Sequence, residues 1–423
     1  AHALASFSAD EKTRILAKER KSNIGIISAY NDLLSAHAPY AHYPEMIKNK
    51  LNAFDLSVQF ASGVPAMCDG ITQGLPGMEL SLFSREVIAQ SVGVGLSHGI
   101  FDGVICLGIC DKIVPGLLMG GLCFGQLPFL FLPSGPMPSS TEFSNTQKAQ
   151  ARKAFAEKKI KEADLLKIEM SCYGEQGTCT FYGTANTNQV MMEFLGLHLP
   201  GASFVAPDTA LRHALNDDSL TRFAHLLTEP RFVLGRMINE KSLVNALVGL
   251  AATGGSTNHT IHLIAIAKMA GFTVTWDDFH DVFRVVPLLT KVYPNGEHDV
   301  NDFHAAGGCP LVIRELFKQH LLFNDVFTIL GEGLERYTVN PALIDQQLVW
   351  KEKTLCSFDE STQPHDTKNT GSCVRPIDQP FLTEGGLKLV TGNLGRGIAK
   401  ISAVAEKYWY IRARAKVFHS QEA

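Results

Sequence analysis

Much that would mark a membrane-bound, exported or nucleic-acid-binding protein is missing from this chain. No apolar run is long enough to span a bilayer, and the strongest, residues 127–133, has the length of a buried strand. No basic segment followed by an apolar one stands at the start, so no export signal is read there. The chain opens on Ala1 rather than Met, and further residues upstream are expected. A formal net charge of −4 over 423 residues, without a basic stripe, argues against nucleic acid or another polyanion as partner. The one Lys-rich stretch, residues 147–167, intersperses Lys with Glu as a solvated helix face does. Tandem repeats and low-complexity segments are absent. Nine cysteines are too few for a disulfide framework in a chain of this length, and none stands in the Cys-x-x-Cys spacing of common zinc or ferredoxin sites. The expected compartment is therefore a reducing cytoplasm, where cysteines are buried or metal-bound.

What is present is ordinary globular material, 45% hydrophobic and 19% charged, enough for more than one core. The first 150 residues alternate β-rich runs with helical stretches. Strands are predicted at 23–29, 57–61, 104–108 and 129–132. Helices are predicted at 44–54, from a Ser84 N-cap to about 98, and from Pro115 to about 124. That alternation predicts a parallel sheet covered by helices on both faces, a three-layer α/β/α domain over residues 1–375. Further helices are expected at 147–170, 187–195 and 258–270, with loop and cap signals at 204–218. A polar, turn-rich stretch at 357–378 marks a boundary. Beyond it, 387–390 and 415–418 read as strands, the beginning of a β-rich second domain (376–423) too short to close its own core.

Three places carry chemistry. Cys110-Asp111-Lys112 follows one predicted strand and Cys68-Asp69-Gly70 another, and the carboxyl ends of strands in an open parallel sheet are where ligands bind. A Cys-Asp pair offers soft sulfur for iron beside hard oxygen for Mg²⁺. Cys179, in a Gly- and Thr-rich run from Gly177 to Asn188, could add a third thiolate and leave one iron open as a Lewis acid. Each cysteine equally reads as a buried small hydrophobe. Ser256, Thr257 and Asn258 open a helix and could receive an anion or be an ordinary cap. His259 and His262 read as packed helix residues. Asn31, Asp32, Ser35 and His37 form a plausible substrate-lining loop, and Arg396 either meets an anionic substrate or belongs to a hairpin turn. Cys106, Cys123, Cys172, Cys309, Cys356 and Cys373 are read as structural.

Taken jointly, Cys68-Asp69-Gly70, Ser84-Arg85-Glu86, Cys110-Asp111-Lys112-Ile113-Val114-Pro115-Gly116, Ser134-Gly135-Pro136-Met137, Gly177-Thr178-Cys179, Thr184-Ala185-Asn186-Thr187 and Gly254-Gly255-Ser256-Thr257-Asn258 resemble the dihydroxyacid/6-phosphogluconate dehydratase family over nearly the whole chain. The phosphogluconate branch is the nearer, because other branches usually carry a cluster cysteine near Ala36 and this chain carries Cys68 instead. The resemblance implies a 4Fe–4S cluster on Cys68, Cys110 and Cys179. It also implies Mg²⁺ (or Mn²⁺) on Asp69 and Asp111, with Lys112 as a further metal ligand if carbamylated. The implied reaction converts 6-phospho-D-gluconate to 2-dehydro-3-deoxy-6-phospho-D-gluconate plus water, in the Entner–Doudoroff pathway, by a homodimer. Family members continue into a C-terminal β-barrel that carries a Ser base and another acidic ligand. A motif like Asp-Gly-Arg-Leu-Ser-Gly is absent here, so the base is expected outside this sequence. Competing readings are a dihydroxyacid or sugar-acid dehydratase, a non-catalytic iron–sulfur protein, and a protein whose thiols are merely packed.

Overall fold

The computed structural model describes residues 2–9, 11–12, 22–353 and 373–419. Cys356 and most of the polar stretch at 357–378 lie outside the described residues. Four parallel strands form the central sheet: β1 (Asn23–Ser28), β2 (Ser57–Gly63), β3 (Gly103–Leu107) and β4 (Phe129–Leu132), in the order β2-β1-β3-β4. β3 and β4 are buried along their whole length and β1 everywhere but Asn23, as unbroken apolar runs require, while the outer strand β2 is half exposed.

Helices cover both faces. α1 (Tyr43–Asn52) follows β1, α2 (Ser81–Leu96) precedes β3, and α3 (Ile113–Leu122) leads from β3 to β4. Gly95 of α2 lies against Ile27, whereas Gly103 of β3 lies against Ile24 and against Phe223 and Leu227, in and just after a later helix. Ile24 and Ile27 point to opposite faces of β1, so the sheet is the middle of three layers. α2 and α3 cross closely because Gly116 and Gly120, one turn apart, have no side chain. A Cβ at Gly116 would fall 2.7 Å from Ile88, and one at Gly120 would fall 2.6 Å from Val92.

The remaining body is helical: α4 (Asn145–Ala156), α5 (Glu162–Cys172), α6 (Thr184–Phe194), α7 (Ala210–Leu226), α8 (Glu240–Thr253), α9 (Thr257–Met269), α10 (Trp276–Val285) and α11 (Gly308–Phe317). An antiparallel hairpin, β5 (Asn340–Ile344) with β6 (Gln347–Lys351), and a second, β7 (Lys388–Gly392) with β8 (Gly395–Ala399), complete the named elements. Between them, Cys373, Val374 and Leu387 are buried in the same apolar cluster as the sheet.

Four expectations need correction. α2 starts one turn before Ser84, whose hydroxyl donates to Ser81 O at 2.6 Å instead of capping the helix. Residues 210–218 belong to α7, with Thr209 accepting from Arg212 N as its N-cap. Residues 415–418 form no strand, because nothing pairs with them among the described residues. Cys123, read as inside an apolar helix, is the exposed residue that ends α3.

Candidate active site at the carboxyl edge of the sheet

β1 and β3 are neighbours, and the chain leaves β1 toward β2 on one side and crosses back to β3 on the other. A crevice opens where such connections diverge, beyond the carboxyl ends of the strands. Cys68-Asp69 leaves β2 and Cys110-Asp111-Lys112 leaves β3, so both corners stand at this edge. Cys179 arrives from elsewhere in the chain and is stitched into place. Thr178 N donates to Gly135 O at 3.0 Å and Met137 N to Thr178 O at 3.0 Å, which continues the sheet beyond β4 by one isolated parallel bridge. Gly177 N donates to Ser35 O and the Ser35 hydroxyl to Gly177 O, tying the same loop to the exit of β1. Gly177 has φ +131, and a Cβ there would fall 2.3 Å from Met137 N, so this double stitch needs glycine.

The three thiols sense one another. Burial pushes Cys110 well above its usual range, and the charges of Cys68, Cys179 and Asp111 push it further. Burial, then Cys68, raise Cys179 to about 11, and burial raises Cys68 as well. Thiols that oppose one another's ionisation in this way become thiolates only when a cation replaces their protons, which suits a metal-ligand set. Among the described residues no three His, Cys, Asp or Glu side chains gather as ligands of one ion would. A multi-iron cluster asks for something different, one thiolate on each of several irons.

Beside the thiols lies a charged row. Lys112, 6% exposed at its side chain, donates to Asp69 Oδ2 at 2.6 Å and to Asp111 Oδ2 at 3.0 Å. Burial alone would lower the Lys112 pKa, but the two carboxylates outweigh it and raise it. Burial likewise works against the Asp111 charge, yet His262 and Lys112 prevail and hold its pKa low. The ammonium therefore stands where a cation between two carboxylates would stand. Asp69 also accepts from the Ser81 hydroxyl. His262 Nδ1 lies 3.2 Å from Arg85 Nη1, which puts its proton on Nε2, 3.5 Å from Asp111 Oδ1. That last separation is an attraction and not a formed hydrogen bond. Arg85 is held in turn by Glu86 at 2.7 Å.

The other site candidates divide. His37 is fully buried and its Nε2 meets Ile109 O at 2.7 Å, so it braces the exits of β1 and β3 against each other and does not line the crevice. Asn31 accepts from Leu33 N and Leu34 N and shapes its own loop, while Asp32 and Ser35 are exposed. Ser256 caps α9, accepting from Asn258 N, and meets Thr184 Oγ1 at 2.8 Å; Thr257 is half-buried and Asn258 exposed. Arg396 lies in the β7–β8 hairpin and pairs with Asp277. Three residues near the cysteines carry more than their sequence suggests: Arg85, Asn188 and His262. The His259/His262 spacing on α9 was the visible signal, but it is equally the spacing of packed residues.

A family model described as dihydroxy-acid/6-phosphogluconate dehydratase N-terminal matches residues 21–337, and the corresponding C-terminal model matches residues 372–423. A phosphogluconate dehydratase of Zymomonas mobilis is 51% identical over all of this chain and 67% of its own length. One of Escherichia coli K12 is 49% identical over all of this chain and 68% of its own length. A dihydroxy-acid dehydratase of Clostridium novyi is 30% identical over 95% of this chain and 69% of its own length. The chain thus spans about two thirds of the length of these relatives.

Proposed function

The chain belongs to the dihydroxy-acid/6-phosphogluconate dehydratase family, and from that premise we propose that it is a hydro-lyase converting 6-phospho-D-gluconate to 2-dehydro-3-deoxy-6-phospho-D-gluconate and water. The observation that supports this reading is the exit of Cys68-Asp69 and Cys110-Asp111-Lys112 at one edge of the sheet, where Lys112 joins Asp69 to Asp111 and the Cys179 loop is tied to the exits of β1 and β4. Identity favours the phosphorylated sugar acid over a dihydroxy acid, at 51% and 49% against 30%.

The three thiols would hold a 4Fe–4S cluster, and Asp69 and Asp111 a Mg²⁺ ion. When bound, these supply Lewis acidity for loss of a β-hydroxyl and charge stabilisation for the enediolate. The residues prepare for both. Asp69 and Asp111 keep their carboxyl oxygens aimed at one cation position, which the Lys112 ammonium fills here. Arg85 fixes the His262 tautomer, and the His262 Nε2–H holds Asp111 ionised. Carbamylation of Lys112 would turn the cation of this row into an anionic oxygen ligand; intact mass would register the addition. The apolar helix α3, buried throughout, begins directly after Lys112.

The test is formation of 2-keto acid by full-length protein, reconstituted without oxygen, from 6-phosphogluconate and from 2,3-dihydroxyisovalerate. The phosphorylated sugar acid should turn over faster. Faster turnover of the branched acid, or none with either after the cluster is loaded, would overturn the assignment.

A further inference from the structure

Cys110 is the one cysteine of the described chain with positive φ, at +87°, a conformation that a residue with a side chain keeps only when its surroundings dictate it. Those surroundings are three consecutive peptide carbonyls taken by buried side chains. Ile109 O meets His37 Nε2 at 2.7 Å, while Cys110 O and Asp111 O accept from Asn188 Nδ2 at 3.1 and 2.6 Å. Asn188, on α6, is fully buried. Both protons of its amide are spent on this one corner, and its Oδ1 lies 2.9 Å from His259 Nδ1. An amide can be flipped, and this one is not free to flip: the two carbonyls can only accept, so the amide nitrogen must face them, and Oδ1 is left to accept from His259 Nδ1. His259 is also fully buried, and burial keeps it neutral, which leaves one N–H to give.

We infer that Asn188, oriented by His259, is a positioning residue that holds the Cys110 corner in the conformation that presents its sulfur to the cluster. The inference rests on the cluster reading above, but the brace itself is a property of the protein without metal. Ligand-orienting partners of this kind typically govern metal retention by roughly 10–100-fold when removed.

The experiment compares wild type with Asn188→Ala, His259→Asn, His259→Phe and Cys110→Ser. His259→Asn keeps an N–H near the Nδ1 position, and His259→Phe does not. Two readouts are taken on protein whose melting temperature and circular dichroism show it folded. One is the rate at which a chelator removes iron and bleaches the visible band. The other is the rate of alkylation of Cys110 in metal-free protein, mapped by mass spectrometry against Cys68 and Cys179. Asn188→Ala and His259→Phe should lose iron about tenfold faster or more. Their Cys110 alkylation should change while that of Cys68 does not, and His259→Asn should stay near wild type. Wild-type iron retention and Cys110 reactivity in Asn188→Ala would overturn the inference. If Asn188→Ala does not fold, the His259 pair decides: equal behaviour of Asn and Phe overturns it. Full iron content in Cys110→Ser would instead defeat the cluster reading, and the alkylation arm would still judge the brace.

Discussion

At the exit of β2, Cys68 sits in ordinary extended backbone (φ −118°, ψ 120°), half-buried, ahead of a single helical turn, Asp69–Thr72. At the exit of β3, Cys110 is buried, held at φ +87°, and gripped through its own carbonyl and the next by Asn188. The two Cys-Asp pairs look alike on paper, yet the Cys68 carbonyl is bonded only by its near neighbours Ile71 and Thr72, whereas the Cys110 carbonyl is held from 78 residues away. A conformation such as that of Cys110 costs about 1–3 kcal/mol, and the buried amide and imidazole around it are what sustain it. The difference suggests a division of labour in which Cys110 sets the position of the site and Cys68 closes on it.

The comparison breaks most visibly at the sulfurs. Cys110→Ser should abolish iron binding and the visible band, because a hydroxyl replaces the fixed thiolate, whereas Cys68→Ser should retain some iron that a chelator removes at least tenfold faster, roughly the range of a disturbed ligand shell. Equal losses would mean that the corners are equivalent after all. Iron content after anaerobic reconstitution decides it.

The carboxylates give the next effect. Lys112→Met leaves Asp69 and Asp111 without their shared cation. Breaking a buried ion pair costs about 3–5 kcal/mol, and since the Asp69 side chain is 29% exposed the expected loss is nearer 2 kcal/mol in metal-free protein. Urea unfolding with and without Mg²⁺ measures it, and the divalent ion should recover part of the loss. No destabilisation would show that the ammonium does not hold the two corners together.

Gly177→Ala tests the stitch that ties the Cys179 loop to the exits of β1 and β4. Left-handed backbone and a clash with Met137 N should together cost about 2 kcal/mol. Cys179 should be alkylated faster than in wild type, and an unchanged rate would contradict the stitch.

The last comparison is a pH control at a side chain that bonds to neither corner. Glu193 is fully buried, accepts from Gly201 N and Ser203 N, and burial raises its pKa to about 7. Between its ordinary range and that value the folded chain holds a proton that the unfolded chain releases. Stability should therefore fall as pH rises from about 4.5 to about 7, and Glu193→Gln should flatten that slope. Asp111, with Lys112 and His262 beside it, is shifted the other way. Thermal melts across this window test the sign.

Legibility in the sequence followed the range of the forces involved. β1, β3 and β4 were readable because a strand buried on both faces must be an apolar run, and the corners at their exits followed from the sheet. α7 was hidden because Asn216, Asp217 and Asp218 interrupt its apolar pattern, so only its cap showed. Residues 415–418 alternate like a strand, but pairing depends on a neighbour that local pattern cannot supply. In the site, the cysteines and acids were legible as residue types. Their holders were not: Asn188 reaches across 78 residues and His259 across another 71, and no spacing announces such contacts. His262 resembled any packed histidine until α9 brought it to Asp111.

The central claim is that Cys68, Cys110 and Cys179 hold one cluster. Its most direct test is iron and sulfide per chain, with the visible band, in anaerobically reconstituted wild type and in Ser variants of Cys68, Cys110, Cys179 and the buried Cys106. The account predicts a loaded wild type, an intact Cys106→Ser protein and deficits in the other three. Full loading of any one of those three would contradict it.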